Sequence, residues 1–153
     1  MDAVLLRDVV AELFASIHAL SGYAVADGVP EIHAVPVAVM QRELCGKPCP
    51  VKAYFHPDRG IFLDETLDLR DSAFDRSVLL HELVHYLQKS TGRFEKAPGT
   101  CLRNHLSEVE AYDIQNRYLS SVNSPTRALY SGWTVACRDE GTGRARRATH
   151  PDL

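Results

Sequence analysis

The chain has 153 residues, which is the length of one compact domain and leaves no room for a separate substrate domain. Hydrophobic residues make up 45% and charged residues 24% of the sequence, and this balance excludes an intrinsically disordered chain. The net charge of -3 excludes a global basic field, so we expect neither nucleic acid nor a membrane surface as a partner. No stretch reaches the roughly 18 apolar residues that a membrane span requires.

The first predicted elements are a helix and a short strand. Apolar side chains recur at helical spacing over residues 3–20, and a Ser-Gly pair then supplies a stop. Residues 31–39 are rich in β-branched side chains and predict a strand that Pro36 interrupts or confines to a sheet edge. Residues 40–50 contain one glycine and two prolines and predict a loop.

A hairpin and two further helices are predicted next. Residues 51–55 and 61–64 are strand-like and flank a turn that contains proline and glycine. If residues 61–64 form an edge strand, an extended peptide can pair with its free backbone groups. Helical spacing returns over residues 74–90 and 104–122. Residues 138–153 are basic and almost without apolar side chains, so they predict a flexible tail.

Four cysteines, Cys45, Cys49, Cys101 and Cys137, do not have the spacing of a zinc ribbon. They permit disulfides in an oxidising compartment or free thiols in a reducing one. A bond from Cys45 or Cys49 to Cys101, which would suit an exported protein, is the pairing we favour. The start of the chain shows no signal peptide, so the location stays open between export of a mature chain, which we favour, and the cytoplasm.

Residues 81–85 read HELVH, which is an HExxH pattern inside the third predicted helix. On a helix that advances about 100° per residue, His81 and His85 lie one turn apart on the same face. Two imidazoles in this arrangement can bind one Zn²⁺. Glu82 projects beside the metal position, where it can accept a proton from a water molecule as a general base.

A catalytic zinc site needs a third protein ligand and an open position. The next helix offers Glu108 and Glu110, which are about 200° apart, so only one of them can face the site. Glu108 falls within the apolar arc of its helix, whereas Glu110 falls beside Asp113 and Arg117 on the polar side, where it would merely be solvated. Because a buried carboxylate is costly unless it is paired, we predict Glu108 as the ligand and keep Glu110 as the alternative.

The HELVH segment, followed by a glutamate on a second helix, resembles the gluzincin branch of zincin metallopeptidases, and within it small bacterial zincin-like domains. The resemblance covers residues 50–122. It implies one α+β, zincin-like domain over residues 1–137, in which a small twisted sheet packs against the HExxH helix and a second glutamate-bearing helix. It also implies hydrolysis of peptide or protein substrates with one Zn²⁺ per chain.

By the same resemblance, His81, His85 and Glu108 match the metal ligands and Glu82 matches the general base. The sequence departs from the thermolysin-like pattern in one respect, because the alanine that should follow the ligand glutamate follows Glu110 instead. Such a reaction also needs a donor to the oxyanion. The sequence offers four candidates without choosing among them, namely Tyr54, His105, Tyr112 and Tyr130.

Two alternatives to catalysis remain. In the first, Cys101 completes a closed structural zinc site with the two histidines and Glu108, and such a site lacks the open position that a water molecule needs. In the second, the chain is a non-catalytic zincin-like module that acts through protein interactions. The presence of Glu82 disfavours the first, because a structural site has no use for that carboxylate.

Overall fold

The computed structural model describes residues 1–24, 27–130, 136–138 and 145–147. Within these ranges the chain forms four helices, a three-stranded sheet and a two-stranded ladder, which confirms the predicted α+β class. In chain order the elements are α1 (Ala3–Ser21), β1 (Ile32–Val35), α2 (Val37–Leu44), β2 (Ala53–His56), β3 (Gly60–Asp64), α3 (Ala73–Thr91), α4 (Thr100–Ser121), β4 (Ala136–Arg138) and β5 (Ala145–Arg147).

The long helices agree with the predicted ones, and their ends follow from capping chemistry. The side chain of Asp2 accepts a hydrogen bond from the N–H of Val4 at the start of α1, and Ser72 does the same for Asp75 at the start of α3. Helix α3 ends at Gly92, whose φ of 66° lies in the left-handed region that glycine adopts without strain. Both ends of the HExxH helix are therefore fixed by its sequence.

The structure corrects the prediction for residues 37–44. The strand ends at Val35, and helix α2 begins directly after Pro36, so the loop predicted over residues 40–50 is wrong for its first part. Proline lacks an N–H and has a fixed φ, which suits the start of a helix as well as the end of a strand. Met40 anchors α2 because its side chain is completely buried.

The three-stranded sheet has the order β1-β3-β2. Strand β3 pairs with β1 in parallel and with β2 in antiparallel orientation, which confirms the hairpin. Residues 61–64 do not form the edge strand that the sequence left open, because β3 is central. Its uninterrupted apolar run fits a strand whose two faces are both covered. Within the described part of the chain, β2 is the edge strand that contacts α3.

The core lies between α1, α3, α4 and the sheet. Helix α3 contributes five aliphatic side chains to this core, and all of them are at most 2% exposed. His81 and Glu82 on the same helix are also buried, each 8% exposed. The HExxH helix is therefore enclosed on both its apolar and its polar side. The aliphatic residues are Leu79, Leu80, Leu83, Val84 and Leu87.

The disulfides join Cys45 to Cys49 and Cys101 to Cys137. The predicted bond between the first pair and Cys101 is therefore wrong. The chain reverses directly after α2, which brings Cys45 and Cys49 together, while β4 carries Cys137 to the first turn of α4.

Strands β4 and β5 pair in antiparallel orientation, so Arg138 and Ala145–Arg147 within the predicted flexible tail have secondary structure. The other residues of that tail, 139–144 and 148–153, lie outside the described residues. None of the described helices is long and apolar enough to cross a lipid bilayer.

Replacing Cys101 and Cys137 by serine is expected to lower the free energy of unfolding by about 4 kcal/mol. The bond joins residues 36 positions apart and so restricts the unfolded chain strongly. The Cys45–Cys49 bond spans only four positions, and the matching double variant should lose about 2 kcal/mol. Urea denaturation of the two double variants measures both losses. A larger loss from the Cys45–Cys49 pair would contradict this ranking.

Candidate metal centre

Three side chains from α3 and α4 converge at one point. The Nε2 atoms of His81 and His85 lie 3.1 Å apart. Oε2 of Glu108 lies 3.2 Å from Nε2 of His81, and Oε1 lies 3.4 Å from Nε2 of His85. The packing of α4 against α3 thus brings Glu108 to the two histidines that the HExxH spacing places on one face.

Glu110 points away from this cluster. Its carboxylate lies 3.0 Å from the guanidinium of Arg93, and it also accepts hydrogen bonds from Tyr23 and Gln88. The side chain is 19% exposed, against 37% for Glu108. The expectation that Glu110 is merely solvated is therefore wrong. Helical phase alone could not show that residues following α1 and α3 cover it.

The ring of His81 is oriented by a chain of hydrogen bonds. The hydroxyl of Ser77 donates to the backbone carbonyl of Phe74 at 2.6 Å and accepts from the side-chain amide of Gln115 at 3.0 Å. The amide oxygen of Gln115 therefore faces Nδ1 of His81, 3.0 Å away. Because that oxygen can only accept, Nδ1 carries a proton and the lone pair of Nε2 faces the cluster.

The ring of His85 is oriented in the same way by Gln88. The amide nitrogen of Gln88 donates to the carbonyl of Ser107 at 2.9 Å and to Glu110 at 3.3 Å. Both partners can only accept, so the amide oxygen of Gln88 faces Nδ1 of His85, 2.8 Å away. Nδ1 of His85 is therefore protonated, and its Nε2 faces the cluster.

The two Nε2 atoms and the carboxylate face one another at 3.1–3.4 Å, and a cation or a proton must lie between them because their lone pairs would otherwise repel. Ligands at about 2.05 Å from a tetrahedral zinc ion are separated by about 3.3 Å, which matches these distances. Donor type, number and spacing thus fit Zn²⁺, and all three residues lie within the span that one metal ion can bridge.

The electrostatics of the cluster show how strongly its groups interact. Burial alone would lower the pKa of His85, but the hydrogen bond to Glu108 and the nearby carboxylates outweigh it and raise the pKa to about 9. Burial would raise the pKa of Glu108, but its hydrogen bonds with both histidines hold it well below the usual value. A proton and a metal ion therefore compete for the same atoms.

Glu82 lies beside the cluster on the side of the sheet. Burial raises the pKa of this carboxyl, against the lowering effects of the two histidines and of the backbone N–H of Phe55 on β2. Glu82 takes no part in the three-atom cluster, but it lies close enough for its charge to raise the pKa of His85.

The four candidate oxyanion donors differ in how closely they contact the cluster. The ring of Tyr112 packs edge-on against His81, with centroids 4.5 Å apart, and also stacks on Tyr130. Nδ1 of His105 lies 3.2 Å from the hydroxyl of Tyr130, which places His105 one residue further out. Tyr54 stacks on Phe62 instead and bonds to Glu43. Tyr112 is thus the candidate in direct contact with the cluster.

Two cavities flank the cluster. One, of about 670 Å³, is lined by His85, Glu108 and Phe55 among others. The other, of about 440 Å³, is lined by His81, Glu82 and Ala53 among others. Residues of β2 line both cavities, so the strand extends from one side of the cluster to the other. A chain laid beside β2 can therefore reach both cavities.

The closed structural site that Cys101 would complete is excluded, because Cys101 is bonded to Cys137. Sequence reasoning also missed the two glutamines that orient the histidines. Their spacing carried a weak signal: Gln88 follows His85 by three residues, and Gln115 follows Glu108 by seven, so each lies on the same helical face as a cluster residue of its own helix.

Comparisons with protein-family models, with curated proteins and with solved structures find no match to the chain.

Proposed function

We propose that the protein is a zinc-dependent metallopeptidase with a zincin-like fold, in which His81, His85 and Glu108 bind one Zn²⁺. The observation that carries the proposal is the convergence of two imidazole Nε2 atoms and one carboxylate on a single point. Hydrogen bonds to Gln88 and Gln115 orient both rings before any metal binds. The HExxH spacing and its neighbouring sheet support the zincin-like assignment.

The roles of the chain's own residues follow from their positions. Zinc bound by His81, His85 and Glu108 would acidify a water molecule and polarise a carbonyl group. Glu82, which lies within electrostatic reach of both histidines, accepts a proton from the attacking water and returns it to the leaving amine. Tyr112 is the side chain best placed to donate to the oxyanion as it develops.

Strand β2 takes over the role that the sequence suggested for residues 61–64. The N–H of Asp64 donates to the carbonyl of Lys52, so the two-residue period of the strand turns the backbone groups of Ala53 and Phe55 away from β3. An extended peptide can pair with this edge and place side chains in the two flanking cavities. Unfolded or extended protein segments are therefore the substrates proposed.

Both disulfides suit a protein that folds in an oxidising compartment, and they support export as the proposed location.

Zinc-loaded protein is expected to cleave a mixture of unstructured peptides, and removal of the metal with a chelator should abolish the cleavage. Restored zinc should restore it. Mass spectrometry of the peptide mixture identifies the products, and the thermal unfolding midpoint should fall on chelation because zinc stabilises only the folded state. Cleavage that persists in excess chelator would contradict the proposal.

A further inference from the structure

Glu110 is a partly buried carboxylate that the proposed metal site does not use. Its Oε1 accepts from the hydroxyl of Tyr23 and from the amide of Gln88. Its Oε2 lies 3.1 Å from Nε and 3.0 Å from Nη2 of Arg93. Three side chains from three separate segments thus donate to this one carboxylate, and one of them is the amide that contacts His85.

The hydrogen bond from Gln88 to Glu110 favours one orientation of the Gln88 amide. If the amide of Gln88 turned over, its oxygen would face the carbonyl of Ser107 and the carboxylate of Glu110, which are both acceptors. Its N–H groups would then face the protonated Nδ1 of His85. Glu110 therefore disfavours the flipped amide by its negative charge as well as by the hydrogen bond it accepts.

We infer that Glu110 is a positioning residue, which holds the Gln88 amide in the one orientation that keeps Nδ1 of His85 protonated and turns its Nε2 toward the metal position. The inference rests on the proposed metal site for its purpose, although the hydrogen bonds themselves do not depend on a metal. Tyr23 and Arg93 hold Glu110 in turn. The segment after α1 and the residues after α3 thereby contribute to the support of His85.

The support of His81 is separate. Gln115 and Ser77 orient that ring, and neither of them contacts Glu110 in the hydrogen bonds described above. A change at Glu110 should therefore affect His85 and leave His81 as it is. This asymmetry gives each protein sample an internal reference.

Asp113 provides a matched control for Glu110. It lies on the same helix and pairs with Arg117 at 2.9 Å, so Asp113→Asn and Glu110→Gln each remove one negative charge and one ion pair. NMR of the imidazole Nδ1–H protons gives the readout, in metal-free protein and after addition of Zn²⁺ alone. Exchange of the His85 proton with solvent reports on its bond to Gln88 whether or not a metal binds.

In Glu110→Gln, exchange of the His85 Nδ1 proton is expected to accelerate about tenfold, as for the loss of one hydrogen bond, while His81 keeps its rate. The Kd for Zn²⁺ should rise about tenfold, as for other residues that support a metal ligand. Asp113→Asn should leave both quantities unchanged.

An unchanged His85 rate, an equal change at His81, or the same effect from Asp113→Asn would overturn the inference. Gln88→Met tests it a second time, because it removes the intermediate amide and should accelerate the His85 exchange at least as much as Glu110→Gln does. An unchanged rate in that variant would also overturn it. If wild-type protein fails to bind Zn²⁺, the proposed function fails, while the exchange rates in metal-free protein still decide the role of Glu110.

Discussion

Glu108→Ala is expected to weaken zinc binding at least about a hundredfold, the upper range of losses seen when only a supporting residue is removed. Glu108 supplies a carboxylate whose two oxygens lie 3.2 Å and 3.4 Å from the two Nε2 atoms, so alanine leaves two histidines to hold the ion. Two imidazoles alone fall short of the three protein ligands that zinc sites use.

Glu110→Ala is the comparison for this variant. It removes a carboxylate from the same helix, two residues away, but one that lies on Arg93 and Tyr23 rather than on the histidines. Its expected loss is about tenfold, through Gln88 and His85. Titration of each metal-free variant with Zn²⁺ in competition with a chromogenic chelator measures both constants. The reverse ranking would show that Glu110 is the ligand.

Glu82→Gln is expected to lower peptide hydrolysis by roughly 10²- to 10⁴-fold, the usual contribution of a general base, with zinc binding retained. Glutamine has nearly the same shape as glutamate, but it cannot accept a proton. This variant should therefore lose activity but keep zinc, whereas Glu108→Ala should lose both.

The measurement for Glu82→Gln is the rate of product formation at saturating zinc, alongside the metal content of the same sample. Folding is checked by the unfolding midpoint, since a buried carboxyl is replaced. A variant that keeps zinc and full activity would remove Glu82 from the reaction. A variant that loses zinc as well would indicate that Glu82 binds the metal and does not serve only as the proton acceptor.

The site could be predicted in outline because a helix converts sequence spacing into geometry. A spacing of four residues places His81 and His85 on one face of α3. Glu108 and Glu110 are about 200° apart on α4, so only one of them can face the histidines. The structure brings Glu108 to the histidines. The environment of Glu110 was not predictable, because its partner Tyr23 is 87 residues away in sequence and meets it only when α1 and α4 pack together.

The fold was predicted less well where local signals are ambiguous. Pro36 both ends a strand and begins a helix, whereas the sequence prediction took it only as a residue that interrupts a strand. The run Ile61–Phe62–Leu63 does not alternate between apolar and polar residues, which is the pattern of a strand covered on both faces. That signal was present and marks β3 as central, which transfers the proposed substrate edge to β2.

Two other features have no sequence rule that would find them. Disulfide pairing depends on which loops meet in space, and spacing alone cannot show that Cys101 meets Cys137. Glutamine is a common surface residue, and Gln115 becomes a partner of His81 only through the contact between α3 and α4. Both features belong to tertiary packing rather than to local sequence.

X-ray absorption at the zinc edge of the purified, zinc-loaded protein tests the central claim most directly. The proposed site predicts one zinc ion per chain with nitrogen and oxygen ligands at about 2.0–2.2 Å, including the outer-shell scattering of two imidazole rings. A sulfur ligand at about 2.3 Å, a single imidazole, or protein that retains no zinc would contradict a site made by His81, His85 and Glu108.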